Sequence, residues 1–400
     1  MNDWRSNLRA RLAQIDVQGL HRSRKILESP QAIRVNVNGR ILLNFSSNDY
    51  LGLANDNHLL EGFINSARCW GVGSGSAHMV SGHTREHHAL EEELAEFTGR
   101  DKALLFSTGY MANLALVSAF AKKGMSIYQD RLNHASLIDG ALLSGGRLRR
   151  FPHLDTAVLS GWLESERGSL STVLTDGVFS MDGDLAPVHH LSKLSSQFNS
   201  LLIVDDAHGF GVLGAKGGGV LEHLSVSQAE VPLVMGTLGK AFGCFGSFVS
   251  GDDVFIEWLL QTARTYLFTT AIPPAIAGAA RIALKQTAEG GWRRERLNSL
   301  IQRFRSGAKQ IGLSIMDSMT PIQPVLIGSS QDCHSAGTQL VEAGFLVPAI
   351  RPPTVPKGMA RLRITLSAKH REEDVDALLG ALDNLRGFQK NISETSFESE

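Results

Sequence analysis

The sequence predicts an α/β fold in which a large domain holds a mainly parallel central sheet between helices, and a smaller α/β domain follows at the C-terminus. Two observations indicate the large domain: short apolar, β-rich runs alternate with longer helical patterns, and polar residues follow the ends of those runs. Such alternation is typical of βαβ units with right-handed crossovers. The alternation of strand and helix patterns gives way to long helical patterns after the Pro273–Pro274 pair. A chain of 400 residues with 43% hydrophobic content can bury cores of this size.

The elements follow in order along the chain. Leu90, Leu94 and Phe97 mark one face of a helix that Gly99 ends as the C′ residue. In the large domain we predict strands at 103–106, 126–129, 172–175, 201–204, 233–235 and 247–250, and a helix at 110–121. A helix at 275–287 joins the two domains, and in the small domain we predict helices at 293–310 and 374–385, with a further helix between strands at 324–327 and 361–365. The expected divisions are an N-terminal helical arm with short strands (1–45), the large domain (46–290), the small domain (291–390) and a flexible tail (391–400).

Charge and cysteine content exclude several classes of protein. Lys and Arg number 39 and Asp and Glu 40, so the chain has no global field that would attract nucleic acid or an anionic membrane, and we expect neither as a partner. No run approaches the roughly 18 apolar residues of a membrane span, and the N-terminus lacks a signal-peptide pattern. The three cysteines form no CxxC pair, which favours a reducing compartment, the cytoplasm.

The segment LLIVDDAHGFG (201–211) ends an apolar strand in two aspartates. Parallel strands deliver such residues to the carboxyl edge of the sheet, where ligands bind. Strand alternation sends Asp205 and Asp206 to opposite faces, so only one of them can reach a given ligand. His208 lies three residues after Asp205 at a glycine-rich turn, which favours a binding site over an aspartate that merely caps a loop.

Three further segments place reactive groups after strands. In GTLGKAFG (236–243), Lys240 lies between glycines after a strand, and lysine forms Schiff bases. Thr237 adds a hydroxyl suited to phosphate. In FSTGYMAN (106–113), a glycine turn begins a helix whose free N–H groups suit an anion. His134, in DRLNHASLIDG, could stack on a flat heterocycle.

Together these groups match the needs of pyridoxal 5′-phosphate (PLP). That cofactor requires an amine for an imine, a carboxylate for the pyridine nitrogen, a flat group over its ring and donors for its phosphate. A carboxylate beside the ring nitrogen keeps it protonated and makes the ring an electron sink.

The order and spacing of these motifs resemble the α-oxoamine synthase branch of the fold-type I, aspartate-aminotransferase-like PLP enzymes. The resemblance covers about residues 40–385 and rests on FSSNDYLGL (45–53), DRLNHASLIDG, TDGVFSMDGD (175–184), DDAHGFGVLG followed by T-x-G-K, and IRPPTVP (350–356). It implies an acyltransferase that condenses an amino acid with an acyl thioester and releases CO2. Within the branch, the likeness is strongest to the members that join L-alanine to a pimeloyl thioester in biotin biosynthesis. Enzymes of the glycine C-acetyltransferase or 5-aminolevulinate synthase type are the alternative.

The resemblance also assigns roles to individual residues. Lys240 would carry the cofactor and remove the Cα proton, Asp205 would pair with the pyridinium nitrogen, and His208 would bond the phenolic oxygen. His134 would stack on the ring and help polarise the thioester. The other assigned residues are Ser180, Thr237, Gly109 and Tyr110 near the phosphate, Asn48 and Arg361 on the amino-acid carboxylate, Thr354 near the acyl substrate, and His21 or Arg22 on the acyl donor.

Several of these assignments stay open. Arg363 is the alternative to Arg361 as the partner of the amino-acid carboxylate, because strand alternation puts both residues on one face. At the N-terminus, His21 stands where members of the branch often have an arginine, and Arg22 and Arg24 are its neighbours. The acyl carrier could be coenzyme A or acyl carrier protein. A homodimer is expected from the branch, and no metal is.

Two other classes of site match short patterns. His83, Glu86 and His87 spell the H-x-x-E-H of an inverted zinc peptidase, for which no third ligand is evident, and we expect these histidines at an exposed helix start instead. Gly209, Gly211 and Gly214 match G-x-G-x-x-G, but AKGGG follows where a dinucleotide-binding helix should begin. A catalytically inactive relative is a further alternative, although every candidate catalytic residue is present.

Overall fold

A computed structural model of the chain describes residues 3–17, 20–22 and 24–385. The helices are α1 (Trp4–Val17), α2 (Asn57–Trp70), α3 (Arg85–Thr98), α4 (Gly109–Phe120), α5 (Ala135–Ser144), α6 (Thr156–Ser165), α7 (Val188–Gln197), α8 (Val220–His223), α9 (Asp253–Thr262), α10 (Arg264–Leu267), α11 (Pro274–Glu289), α12 (Gly291–Gln310), α13 (Ser330–Glu342) and α14 (Glu372–Asp383), with a short π-helix at His78–Gly82. The strands are β1 (Arg34–Val37), β2 (Arg40–Asn44), β3 (Lys102–Phe106), β4 (Ser126–Asp130), β5 (Arg147–Phe151), β6 (Ser171–Asp176), β7 (Ser200–Asp205), β8 (Leu233–Thr237), β9 (Ser247–Gly251), β10 (Ile322–Gly328), β11 (Phe345–Leu346), β12 (Ala349–Ile350) and β13 (Ala360–Thr365).

The central sheet has seven strands in the order β3-β9-β8-β7-β6-β4-β5. Six run parallel to one another, and β9 runs antiparallel to its neighbours β3 and β8. The predicted α/β fold with a mainly parallel sheet is therefore confirmed. The connection from Thr237 to Ser247 explains the reversed strand, because it is shorter than the dozen or more residues that a parallel crossover needs.

Helices cover both faces of this sheet, and alternate strand residues enter two separate apolar cores. Leu202 and Val204 of β7 belong to one core, whereas Ile203 belongs to the other, which contains buried residues of α4. The alternation of side chains between the two faces continues beyond the end of β7. Asp205 bonds Asn113 of α4, and Asp206 accepts from the Val220 N–H on the opposite face, so the predicted division of the two aspartates is confirmed.

Two three-stranded sheets lie outside the central one. One has the order β10-β13-β12 and is antiparallel, and the other joins β1 and β2 to β11. Strands from the two ends of the chain thus share a sheet. The division at 45, 290 and 390 stays a prediction, and the tail at 391–400 lies outside the described residues. Within those described residues, no helix is both long and apolar enough to cross a lipid bilayer.

A partly buried ion cluster links the end of β4 to the loops that follow β5 and β6. His153 contacts Asp130 through Nδ1 at 3.0 Å and Asp184 through Nε2 at 2.7 Å. These two carboxylates outweigh the effect of burial and raise the pKa of His153 to about 10. The folded state therefore holds the proton more tightly than the unfolded chain does.

This linkage predicts a pH dependence of stability. Because the folded pKa lies above the ordinary value of 6.5, the stabilisation is complete below pH 6.5 and is lost as pH rises toward 10. We expect the free energy of unfolding to fall by at most about 1.4 kcal/mol per pH unit in this window. Urea titrations of the native protein and of His153→Gln between pH 6 and 10 measure it. Equal slopes in the two proteins would contradict it.

Candidate functional site

A cavity of about 190 Å³ opens at the carboxyl edge of the central sheet. Its lining contains eight of the residues that the sequence pointed to: Gly109, Tyr110, His134, Ser180, Asp205, His208, Thr237 and Lys240. They come from segments far apart in sequence, and the parallel strands bring them together because their carboxyl ends meet at one edge. The cavity also contains residues that the sequence analysis gave no role: Asn113, Ser136 and Asp176 among them.

Asp205 is held rigidly at the end of β7. Its side chain is buried, and it accepts hydrogen bonds from Asn113 Nδ2 at 2.6 Å and from the Ala207 N–H at 3.0 Å. Asn113 also donates to the Ser136 hydroxyl at 2.8 Å. Asn113 therefore ties this carboxylate to the start of α5, where His134 is located.

Asp176 is a second buried carboxyl group, directly opposite Asp205 in the β6–β7 register. It accepts a hydrogen bond from the His134 N–H at 3.1 Å. Burial, followed by the charge of Asp205, raises the pKa of Asp176 well above its usual range. Both causes favour the protonated form of Asp176. The apolar run TVLTD (172–176) ends in an aspartate, as LLIVD (201–205) does. The same pattern that pointed to Asp205 could therefore have predicted Asp176 as a site residue.

Lys240 follows β8 and extends its amine into the cavity. Burial lowers the pKa of Lys240 to about 8, although the charges of Asp205 and Asp176 act in the opposite direction. A lysine with this pKa has a substantial neutral fraction near neutral pH. Only the neutral amine is a nucleophile or a base.

His134 is the N-cap of α5, and its hydrogen bonds define its tautomer. Its Nδ1 accepts from the Ser136 N–H at 3.3 Å and lies 2.7 Å from the Ser136 hydroxyl. Since that hydroxyl already accepts from Asn113, it is free to donate its hydrogen to Nδ1. The proton of a neutral His134 therefore sits on Nε2. Burial lowers the pKa of this histidine, which favours the neutral ring.

His208 begins a hydrogen-bonded chain that ends at an arginine. Its Nδ1 lies 2.7 Å from the hydroxyl of Tyr50, which in turn donates to Asn48 Oδ1 at 3.1 Å. Arg363 donates to the same Asn48 oxygen through both terminal nitrogens, at 3.2 and 3.3 Å, and to the Ser180 carbonyl at 2.6 Å. Burial lowers the pKa of His208 well below its usual value, and nearby Lys240 and Arg363 add to the effect.

Arg361, which the sequence analysis placed on the amino-acid carboxylate, has internal partners in the structure. Its guanidinium is buried and donates to Asp182 Oδ1 at 2.7 Å and to the Met359 carbonyl at 3.0 Å. Arg363 lies one pleat further along β13 and contacts Asn48 instead. The two arginines therefore have different partners: Arg361 forms an internal ion pair with Asp182, and Arg363 bonds Asn48 and the carbonyl of Ser180, a residue of the cavity lining.

The residues expected near the acyl substrate lie away from the cavity lining. Thr354 is exposed in the loop that contains the cis peptide between Pro352 and Pro353. His21 and Arg22 are exposed as well, with His21 paired to Asp16 of α1. The helix α1 buries none of its residues. Within one chain, therefore, these residues do not form a site with Lys240.

The N-terminus of α4 also borders the cavity. Gly109 and Tyr110 are its first residues, and Thr108 caps it by accepting from the Met111 N–H. The Thr237 hydroxyl donates to the Gly246 carbonyl and accepts from the Gly239 N–H. A helix N-terminus flanked by hydroxyl groups favours a bound phosphate.

The zinc-peptidase pattern is not assembled. Glu86 pairs with Arg281 at 2.9 Å, and both ring nitrogens of His87 are used, one by Thr84 and the other by the Ile272 carbonyl. His87 is fully buried, so the expectation of an exposed helix start was wrong for it. His87 instead forms a capping box with Thr84 at the beginning of α3.

The glycine pattern after β7 has a structural cause. The 14 residues from Asp206 lead only to the short helix α8 (Val220–His223), not to the long helix of a dinucleotide fold. A Cβ on Gly209 would lie 2.0 Å from Asp206 Oδ1, and one on Gly219 would lie 1.9 Å from Asp206 Oδ2. These glycines make room for a buried acid.

The groups around the cavity fit PLP. An amine, a carboxylate with fixed orientation, an imidazole beside the carboxylate and a helix N-terminus all face the same space. Lys240 would hold the aldehyde carbon, Asp205 the ring nitrogen, His134 the ring face, and the start of α4 the phosphate.

Comparison with known proteins agrees with this geometry. Residues 40–382 match the family described as aminotransferase class I and II. The chain is 55% identical over 371 residues to an 8-amino-7-oxononanoate synthase from Methylococcus capsulatus, covering 93% of this chain and 96% of that one. It resembles the structure of a serine palmitoyltransferase variant from S. paucimobilis with bound PLP–myriocin aldimine, with a TM-score of 0.89, 26% identity and coverage of 94% and 96%.

A second solved structure is similar as well. An 8-amino-7-oxononanoate synthase from Francisella tularensis matches with a TM-score of 0.76 and 32% identity, covering 86% of this chain and 97% of that one. Both solved structures match most of the chain. From these matches and from the site at the sheet edge, the chain belongs to the aminotransferase class I and II family.

Proposed function

We propose that this enzyme is an 8-amino-7-oxononanoate synthase, which condenses L-alanine with a pimeloyl thioester and releases CO2 and the free thiol, a step of biotin biosynthesis. The observation that carries the chemistry is Lys240, an amine of lowered pKa in a cavity with Asp205. The substrate assignment is supported by relatives of that name that are 49–55% identical over nearly the whole chain.

PLP bound here supplies an electron sink that stabilises negative charge at the amino-acid Cα. Lys240 holds the cofactor, and its Nζ then removes the Cα proton as a general base. Asp205 accepts the hydrogen of the ring nitrogen while Asn113 and Ala207 fix its orientation. His134 donates from Nε2 toward the thioester carbonyl, because its Nδ1 is engaged by Ser136.

Arg363 is the proposed partner of the amino-acid carboxylate. Its terminal nitrogens share the Asn48 oxygen, and both side chains adjoin the His208–Tyr50 pair at the cavity. A guanidinium can bind a carboxylate through two parallel hydrogen bonds, which fixes the direction of the Cα–H bond relative to the base. Arg361 is instead paired with the buried carboxylate of Asp182.

Exchanging the two arginines separately tests this assignment. We expect Arg363→Lys to raise the KM for L-alanine about 10- to 100-fold, because a charged bidentate contact is lost. We expect Arg361→Met instead to destabilise the protein by about 3–5 kcal/mol, because Asp182 is left as an unpaired buried charge. Steady-state kinetics and urea unfolding measure the two effects. An unchanged KM in Arg363→Lys would contradict the assignment.

The quaternary structure and location are proposals too. A homodimer would give the exposed apolar residues Leu142 and Leu143 of α5 and the unburied face of α1 a partner surface. It could also bring His21, Arg22 and Thr354 of one subunit toward the cavity of the other. The three cysteines are free, which supports a reducing compartment, the cytoplasm. We propose the large domain (46–290) as the PLP-binding unit and 291–390 as the small domain.

The test of the function is a matrix of substrates. L-alanine, glycine and L-serine are each combined with acetyl, succinyl, pimeloyl and palmitoyl thioesters of coenzyme A, and CO2 and free thiol are measured. We expect the largest kcat/KM for L-alanine with the pimeloyl thioester, and the acyl-carrier-protein thioester is then compared with it. If glycine with a succinyl or acetyl thioester gives the largest value, the substrate assignment is wrong and another α-oxoamine synthase activity replaces it.

A further inference from the structure

A group of histidines surrounds the start of α3, away from the PLP cavity. His78, in the π-helix, stacks on Tyr266 with ring centroids 4.6 Å apart, and its Nδ1 lies 2.9 Å from Nδ1 of His83. His83 and His88 have ring centroids 5.7 Å apart. These residues line a cleft of about 510 Å³ that also contains Glu91.

Among the described residues, the largely buried carboxyl group of Glu91 has no cationic partner within hydrogen-bonding distance. Its side chain is only 13% exposed, and its Oε1 accepts a hydrogen bond from the Leu105 N–H at 2.9 Å. Its Oε2 lies 3.9 Å from Nε2 of His83, which is too long for a hydrogen bond. A buried carboxylate in this position is costly unless a cation compensates it.

We propose that His83, His88 and Glu91 bind a divalent transition-metal ion of the Zn²⁺ type. One ligand atom from each of the three residues lies within 4.8 Å of the other two. His88 and Glu91 are three residues apart on α3, so they share a helix face, and His83 approaches from the segment before the helix. These are not the residues of the H-x-x-E-H pattern, of which only His83 takes part.

The geometry suits such an ion after a small movement. Tetrahedral coordination with bonds of about 2.0–2.1 Å places ligand atoms roughly 3.3 Å apart, and His83 and Glu91 are already at 3.9 Å. His88 is 63% exposed, so its side chain can turn toward them. Two imidazoles and one carboxylate favour Zn²⁺ over Mg²⁺ or Ca²⁺, which prefer oxygen ligands only. The fourth position is left to water.

His78 would fix the orientation of one ligand. A histidine that binds a metal through Nε2 carries its proton on Nδ1. Nδ1 of His83 lies 2.9 Å from Nδ1 of His78, which can accept a hydrogen bond from it. Tyr266 stacks on His78 and holds it in place. The ion would thus join the π-helix to α3 by way of two imidazole rings.

The test uses the full-length holoenzyme after treatment with a chelator. Calorimetric titration with ZnCl2 is expected to show one ion per chain with a Kd in the micromolar range or below, unaffected by excess Mg²⁺, and Zn²⁺ is expected to raise the Tm. The variants are Glu91→Gln, which keeps the shape and the bond from Leu105, and His88→Ala, which changes an exposed residue. Each should weaken the affinity at least about 100-fold and abolish the rise in Tm.

His190→Ala is the matched control, because His190 is an exposed helical histidine far from the cluster in sequence. It should bind Zn²⁺ as the unchanged protein does. The Tm of each variant without metal shows whether it is folded. Binding weaker than millimolar in the unchanged protein, or equal affinity in Glu91→Gln and His190→Ala, would overturn the proposal.

Discussion

Replacing Lys240 by alanine is expected to abolish turnover, lowering kcat by at least about 10⁴-fold. The residue has two proposed tasks: its amine holds the cofactor and later removes the Cα proton. Burial lowers the pKa of this amine to about 8, and no other lysine lines the cavity among the described residues. The imine absorbance of the purified protein should therefore disappear together with the activity.

Lys193→Ala is the control, because Lys193 is exposed on α7 and outside the cavity. It should retain both the absorbance and the activity. Adding a small primary amine such as methylamine to Lys240→Ala should restore a fraction of the turnover, since a free amine can take over the proton transfer. Full activity of Lys240→Ala in the presence of PLP would refute the proposed site.

We expect Asp205→Asn to lower kcat by about 10²–10³-fold while the protein still binds PLP. An amide cannot stabilise a positive charge on the ring nitrogen as a carboxylate does. Asparagine can still accept the bond from Ala207, so the local fold should persist. Single-turnover rates of Cα-proton exchange, measured by NMR in D2O, isolate the affected step from substrate binding.

Asp206→Asn separates this effect from the loss of any buried carboxyl group. Asp206 is as buried as Asp205 but faces the other core, where it bonds the Val220 N–H. Its change should alter stability and leave the proton-exchange rate within about threefold of the original, as expected for a site without contact with the reacting atoms. Equal losses of rate in both variants would show that Asp205 has no special role.

The sequence predicted the parts of the site that depend on strand ends. Asp205 and Lys240 follow apolar runs, and the carboxyl ends of parallel strands converge, so their proximity follows from the fold class. Residues on helices gave no such sign: Asn113 lies one turn into α4 and contacts Asp205 only because that helix packs on the same face of β7. Tyr50 lies in the loop motif FSSNDYLGL (45–53), and that motif gave no sign of its bond to His208.

Other features need distances that periodicity does not contain. Alternation places Arg361 and Arg363 on one face of β13, but their partners differ because the strand advances by one pleat between them. The burial of His87 depends on its bonds to Thr84 and Ile272, the latter 185 residues away. The strand β9 was predicted without its direction, although the short connection before it could have supplied that direction.

The glycines packed around Asp206 bear on how the enzyme tolerates variation. Gly177, Gly209 and Gly219 would each bring a new Cβ within 2.8 Å of this carboxyl group, and none of the three lines the PLP cavity. In a saturation-mutagenesis screen for growth without biotin, all three positions should accept almost no replacement. The positions that accept no replacement would therefore include residues on the face of the sheet opposite the PLP cavity.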